Sequence, residues 1–213
     1  MASPTRAGRP KSEQKREQIM QAATELFLAQ GVVATSMDNV AKESGVSKQT
    51  VYSHFDSKDA LYTAVVEQKC QDYQLDPQLI CQELAGHGSL KTVLTHIGVQ
   101  FIKLLQDDDV VAMYRIVISE AKNNPDVARL FYEVGPRNSH ASLTNLLIGA
   151  SSNQLSEPTA RRLALNYLSL LKGEIHIGNL LGIQSSLSDD EIHAWVEDVV
   201  AKTLLLFHAA IDH

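Results

Sequence analysis

Five residues in one short stretch, Lys48, Gln49, Thr50, Tyr52 and His54, carry side chains suited to touching nucleic acid. Gln49 offers a donor and an acceptor together, which matches the edge of adenine. Lys48 suits guanine O6/N7 or a phosphate, and Thr50 suits a thymine methyl or a phosphate. Tyr52 and His54 reach sideways, towards backbone phosphates. Lys58 falls in the first turn of the next expected helix, where free amides and the positive helix end already favour phosphate. Ser47 and Thr35 read as helix caps first and phosphate donors second. Phe55 reads as core.

Such side chains work only if a helix presents them together. Residues 37–55 have helix-turn-helix spacing. Val40 and Ala41 face inward on a first helix, and the small Ala41 lets a second helix cross closely. Gly45 supplies the left-handed backbone of the tight turn. Val46 and Val51 anchor the second helix, leaving Lys48, Gln49, Thr50, Tyr52 and His54 on or beside its exposed side. Side chains near the N-terminal end of such a helix reach base edges in the major groove. Ahead of it, Ile19, Ala22, Ala23, Leu26 and Phe27 form the stripe of an amphipathic helix over 12–30, with Gly31 ending it. Thr35 and Asp38 have the spacing of a capping box for a helix at 36–44, with Ser36 as the other candidate cap. Asp56 or Ser57 caps a helix at 58–72.

The segment GVSKQTVYSHFDSKDAL resembles the signature of the TetR/AcrR family of bacterial regulators. The resemblance covers residues 12–70. Tyr114-Arg-Ile-Val-Ile-Ser-Glu-Ala, with Pro125 and Phe131-Tyr-Glu-Val-Gly-Pro136, is similar to the regulatory domain of AefR-like members. The resemblance implies a homodimer with one recognition helix per subunit on palindromic double-stranded DNA. It also implies a small-molecule effector held in the C-terminal domain, whose occupancy changes the spacing of the two recognition helices. Most such proteins repress.

The total charge of −6 argues at first against DNA, but its distribution matters more. Residues 1–16 hold Arg6, Arg9, Lys11, Lys15 and Arg16 against Glu13 alone, a net +4, so the remainder carries −10. Residues 1–11 read as a flexible basic arm. Arg9 and Lys11 either enter a narrow minor groove or form part of a solvated tail. No apolar run reaches the ~20 residues that span a bilayer, since Lys172, Glu174, His176 and Asn179 break the densest stretch, Leu163–Leu181. With no leader pattern at the N-terminus, the expected place is the cytoplasm. Cys70 and Cys81 read as two partly buried thiols, a redox switch being the alternative. There is no Gly-rich phosphate loop, nucleophile elbow, HExxH or CxxC spacing, so neither an enzyme nor a metal site nor a cofactor is expected.

The whole is therefore expected to be all-α, with a DNA-binding domain over 12–72 and an effector-binding and dimerisation domain over 73–213. In the second, helices are expected at 89–106, 108–123, 125–134, 136–149, 156–182 and 188–211. Breaks fall at Asp107–Asp109, Asn123–Pro125 and Gly135–Pro136, and Ser188 with Glu191 forms a capping box. The helix over 156–182 is apolar nearly all round, and the last helix carries a continuous apolar stripe, so the pair reads as a dimer interface through Leu170, Ile177, Trp195, Val199, Val200, Leu204 and Phe207. Phe101, Met113, Tyr114, Val117, Tyr132 and Tyr167 are candidates for an apolar pocket, or for plain core. Arg115, His140, Glu174 and His176 are candidates for its polar contacts, or for surface and interface positions.

Overall fold

A computed structural model describes residues 9–75, 89–183 and 186–212. The regular elements among them are helices, with no strand. Alternation of apolar and polar positions at helical spacing builds them, and side-chain caps delimit them. α1 runs Arg9–Ala34, α2 Met37–Ser44, α3 Lys48–His54 and α4 Lys58–Asp72. α5 (Leu90–Gln106), α6 (Asp108–Glu120), α7 (Pro125–Tyr132), α8 (Asn138–Ala150), α9 (Glu157–Leu181) and α10 (Asp189–Ile211) complete the chain.

The caps explain the boundaries. Ser36, Ser47 and Ser57 accept hydrogen bonds from the backbone N–H of Asn39, Thr50 and Ala60, opening α2, α3 and α4. The cap of α2 is thus Ser36 and not Thr35, whose hydroxyl is buried and donates to the Gly31 carbonyl at 2.8 Å. Ser188 and Glu191 form the expected capping box of α10. α1 begins at Arg9, earlier than the expected Ser12. Gly31 interrupts α1 with φ 83°, but the helical turns resume to Ala34. The expected break at Gly135–Pro136 is instead a π-helical turn over Glu133–Arg137. Pro136 has no N–H to give to the ladder, and the wider turn absorbs it. α9 is broken at Gly173, with φ 43°.

Two cores form. One joins α5, α8, α9 and α10 through residues such as Leu94, Ile102, Leu147, Tyr167, Leu171 and Val196. The other belongs to α1–α4, yet Met113, Val117 and Phe131 of α6 and α7 are part of it, beside Phe27, Val65 and Val66. The N-terminal helices are therefore joined to α6 and α7 by shared apolar packing.

Candidate nucleic-acid interface and junction cavity

α3 is fixed from behind and free in front. Val51 (0% exposed) and Phe55 (4%) bury their side chains, and the Arg16 guanidinium lies 4.5 Å from the centre of the Phe55 ring. Gly45 takes the left-handed turn between α2 and α3 at φ 69° and ψ 16°. A side chain there would meet nothing within 4 Å, so backbone conformation alone asks for glycine. Lys48, Gln49, Tyr52 and Ser53 are then exposed along one face, with Thr50 and His54 half-buried beside them.

These residues are not equally free. Lys48 Nζ lies 2.7 Å from Asp38 Oδ1 of α2, and the hydrogen bond to that carboxylate, then its charge, raises the ammonium pKa. Lys48 is thereby aimed across the turn. The hydroxyls of Ser47 and Thr50 share a hydrogen bond at 2.8 Å. Gln49 and Tyr52 make no side-chain hydrogen bond among the described residues. Ser53, which the sequence reading passed over, shares their face, and its hydroxyl donates to the Thr50 carbonyl.

Two expected contact residues have other work. Thr35 is 2% exposed and holds the end of α1 through the Gly31 and Leu26 carbonyls, so it has no surface to offer a phosphate. Lys58 donates to the carbonyls of Val32 (2.7 Å), Val33 (3.1 Å) and Thr35 (3.0 Å). Its ammonium neutralises the carbonyl end of α1, which the break at Gly31 leaves without helical partners. In this DNA-free structure its half-buried side chain braces the end of α1 against α4. The side chains of Arg9 and Lys11, and all of residues 1–8, lie outside the described residues.

Behind this module is a cavity of about 60 Å³ between the two halves of the chain. Thr24, Val65, Val66, Lys69 and Cys70 line it from α1 and α4, and Phe101, Leu104, Met113, Tyr114, Phe131, Leu168 and Lys172 from the regulatory helices. Three of the expected pocket residues, Phe101, Met113 and Tyr114, are on its wall, as is His140. The others are elsewhere. Val117 is packed in the core of α1–α4. Tyr132 is 51% exposed. Tyr167 is fully buried, its hydroxyl donating to the Leu94 carbonyl. Glu174 lies in a separate surface groove beside Trp195. Arg115 donates to the Asn179 and Leu180 carbonyls and so closes the end of α9.

The charged groups of the wall divide into paired and unpaired. Lys69 contacts Asp109 (2.8 Å) and Asp107 (3.4 Å), and Tyr73 donates to Asp107. Burial would raise the Asp107 pKa, but the Tyr73 and Val110 hydrogen bonds and the Lys69 charge outweigh it and lower it. Lys172, missed as a site residue, has no hydrogen bond or ion pair among the described residues, and burial lowers its pKa. Its signal was present in the sequence as the lysine that interrupts the Leu163–Leu181 run.

Two sequence families match this arrangement piece by piece. The model of bacterial regulatory proteins, TetR family, matches residues 19–65. The model described as the AefR-like transcriptional repressor, C-terminal domain, matches residues 92–209, more than half the chain. The chain belongs to the TetR family. An uncharacterised helix-turn-helix regulator of Bacillus subtilis, YerO, is 28% identical over 121 residues, 57% of this chain and 42% of YerO. The chain thus matches less than half the length of that relative. The solved structure of the flavonoid-responsive regulator FrrA is 32% identical, with 91% of this chain and 96% of FrrA covered and a TM-score of 0.68. A TetR-family regulator structure from Mesorhizobium loti has a TM-score of 0.72 at 24% identity, covering 92% and 97%, and shows the same fold.

This TetR-family chain is accordingly a DNA-binding transcriptional regulator, and its relatives are regulators and not enzymes. No helix among the described residues is long and apolar enough to cross a membrane. The expected dimer residues separate into two sets. Val199, Val200 and Phe207 are at most 3% exposed and belong to the chain's own core, with Leu204 packed against it. Val199, Val200 and Phe207 are corrected to core residues, because the inner side of α10 is consumed by α5 and α9, while Leu204 stays half-buried at its edge. Leu170, Ile177 and Trp195 are exposed, together with Leu181, Leu205 and Leu206, which the sequence reading did not select. Cys70 is a free, half-buried thiol, and Cys81 lies outside the described residues.

Proposed function

We propose that the protein is a homodimeric repressor that reads a palindromic DNA site with one α3 per subunit and is released by a small, largely apolar effector entering the junction cavity. The observation that carries this reading is the cavity's lining. Its walls come from α1 and α4 of the DNA-binding half and from the regulatory helices, so occupancy has to act on both. At about 60 Å³ it is far below the roughly 300–1,000 Å³ of sites for drug-sized ligands. An effector fits only by moving the walls apart, and α4 carries α3 with it. That is a differential affinity for two conformations, as allosteric release requires.

Within this reading Gln49 meets a base edge, Lys48 and Thr50 meet bases or phosphates, and Ser47, Tyr52 and His54 meet phosphates. The exposed apolar residues of α9 and α10 supply the subunit interface. The family description of a repressor and the flavonoid response of FrrA support a ligand-released repressor. Binding to DNA, it would act in the cytoplasm.

Selection of bound duplexes from a random pool tests the DNA part. The expected product is an inverted repeat whose half-sites lie one helical turn apart, or a multiple of it. A single asymmetric site bound by a monomer contradicts it. For the regulatory part, a compound that binds in the cavity weakens the DNA complex, and the DNA weakens the compound's binding by the same factor. Equal ligand affinity with and without the duplex would falsify release by this route.

A further inference from the structure

We infer that Glu120, the last residue of α6 in the regulatory half, is a positioning residue for DNA binding: its carboxylate is seated against Gly31 and fixes residues 31–35, from which α2 and then α3 start. This rests on the reading of α3 as the helix that meets DNA, and not on the reading of the cavity.

The seat is a matter of shape. Gly31 is buried and breaks α1 at φ 83° and ψ 165°. A Cβ on Gly31 would overlap Glu120 Oε1, and its next neighbours would be Glu120 Cδ at 3.3 Å and Ile116 Cγ2 at 3.8 Å, both on α6. The carboxylate therefore fills the space that any other residue at 31 needs for its own side chain. No polar partner holds it there. Glu120 is half-buried and makes no side-chain hydrogen bond or ion pair among the described residues, and its Oε2 is buried without a partner. The Tyr62 hydroxyl of α4 is buried and unpartnered as well, and burial, then the Glu120 charge, raise its pKa.

Stability does not ask for a carboxylate here. Glu120 stands at the carbonyl end of α6, where negative charge is disfavoured, and the last turn holds no basic residue to offset it. A buried acceptor without a donor adds a desolvation cost. What the seat controls is the start of the helix-turn-helix. The Gly31 carbonyl accepts the Thr35 hydroxyl at 2.8 Å, and the Val32, Val33 and Thr35 carbonyls accept the Lys58 ammonium. Ser36, next in the chain, caps α2, which leads to α3 through the turn at Gly45. The position of Gly31 is thus passed to α3 through a short, closely bonded segment. Because α6 also lines the cavity through Val110, Met113 and Tyr114, the same contact gives the regulatory half a link to α3 through α1, beside the one through α4.

The test uses the full-length protein and reads melting temperature and affinity for a duplex selected by the wild type. Glu120→Ala empties the seat and should weaken DNA binding about fivefold or more. It should melt no lower than wild type, because an acceptor without a donor has been removed. Glu120→Gln keeps the shape and should restore binding to within about twofold of wild type. Gly31→Ala expels the carboxylate and should also weaken binding, and adding Glu120→Ala to it should cost nothing further, since both changes break one contact. A Glu120→Ala protein that binds DNA as wild type does, or that weakens only with a matching drop in melting temperature, would overturn the positioning role. Equal losses for Glu120→Ala and Glu120→Gln, or additive losses in the double variant, would overturn the seat by shape. Gln49→Ala in the same assay tests the α3 reading separately, so the two failures are told apart.

Discussion

The α3 face and the junction cavity use the same kinds of side chain under opposite conditions. On the face, polar groups are exposed, and backbone geometry does the positioning: Gly45 turns the chain, Ser47 caps the helix, and Val51 and Phe55 hold it down. Around the cavity, polar groups are half-buried: Lys69 on its wall is paired with Asp109, Lys172 on the wall makes no hydrogen bond or ion pair among the described residues, and His176, which stacks on Tyr114 of the wall, has a buried Nδ1 without a hydrogen-bond partner. A lysine illustrates the difference. Lys48 on the surface is paired with Asp38, whereas half-buried Lys172 has no hydrogen bond or ion pair among the described residues.

The largest effect that can break this comparison concerns α10. Val200 is 0% exposed, so Val200→Glu places an unpaired charge in the core. The expected cost is several kcal/mol, against a typical total of roughly 5–15 kcal/mol, and the chain should lose its helical signal at ordinary temperature. Leu206 is 47% exposed, and Leu206→Glu should keep helicity and melting within error in the monomer while splitting the dimer. Circular dichroism and sedimentation distinguish the two. A folded, dimeric Val200→Glu protein would contradict the assignment of the inner stripe to the core.

A second pair of substitutions sharpens the contrast between junction and turn. Gly31 has φ 83° and ψ 165°, a region essentially closed to other residues, and a Cβ there would lie 2.2 Å from Glu120 Oε1 across the junction. Gly31→Ala should cost about 1–3 kcal/mol from strain alone, and more from the displaced carboxylate. Gly45→Ala meets no atom within 4 Å and should cost about 1–2 kcal/mol. Urea denaturation of both measures the difference. Equal costs would mean that Glu120 moves freely and the junction is loose.

Much of the surface region was legible because its demands are local. Capping serines, the turn glycine and the inward valines all act within a few residues, and they are in place. The error at Thr35 came from a neighbouring serine with equal capping chemistry, and only the fold decides which hydroxyl faces the helix end. The hydrogen bonds of Lys58 were not legible because its acceptors, the carbonyls of Val32, Val33 and Thr35, are more than twenty residues away. The regulatory half was legible as helices and illegible as faces. Periodicity gave α10 an apolar stripe, but it cannot say whether α5 or a second subunit covers it. Tyr167 and Phe101 look alike in sequence, yet one is sealed against the Leu94 carbonyl and the other lines the cavity.

Acid should separate the two regions more gently. The His176 pKa is lowered from 6.5 to about 4 by burial and by Lys172. A histidine depressed in the folded state takes its proton more readily when unfolded. Its contribution to stability is therefore complete above about pH 6.5 and is lost as pH falls towards about 4. Melting temperatures across that window should fall less steeply for His176→Phe, which keeps the ring against Tyr114. An unchanged slope would show that the imidazole is not sealed beside the cavity.

The central claim, that the free face of α3 reads bases while Lys58 merely holds it in place, is tested most directly by comparing Gln49→Ala with Lys58→Met. Folding stability and binding are measured for each, on the selected duplex and on a scrambled one. Lys58→Met should lose about 1.5–3 kcal/mol of folding stability, since it removes a charged donor from three carbonyls. Gln49→Ala should melt like wild type, bind scrambled DNA as wild type does, and lose roughly 1–3 kcal/mol on the selected duplex alone. A Gln49→Ala protein that weakens equally on both duplexes, beside a Lys58→Met protein of unchanged stability that alters base preference, would contradict the account.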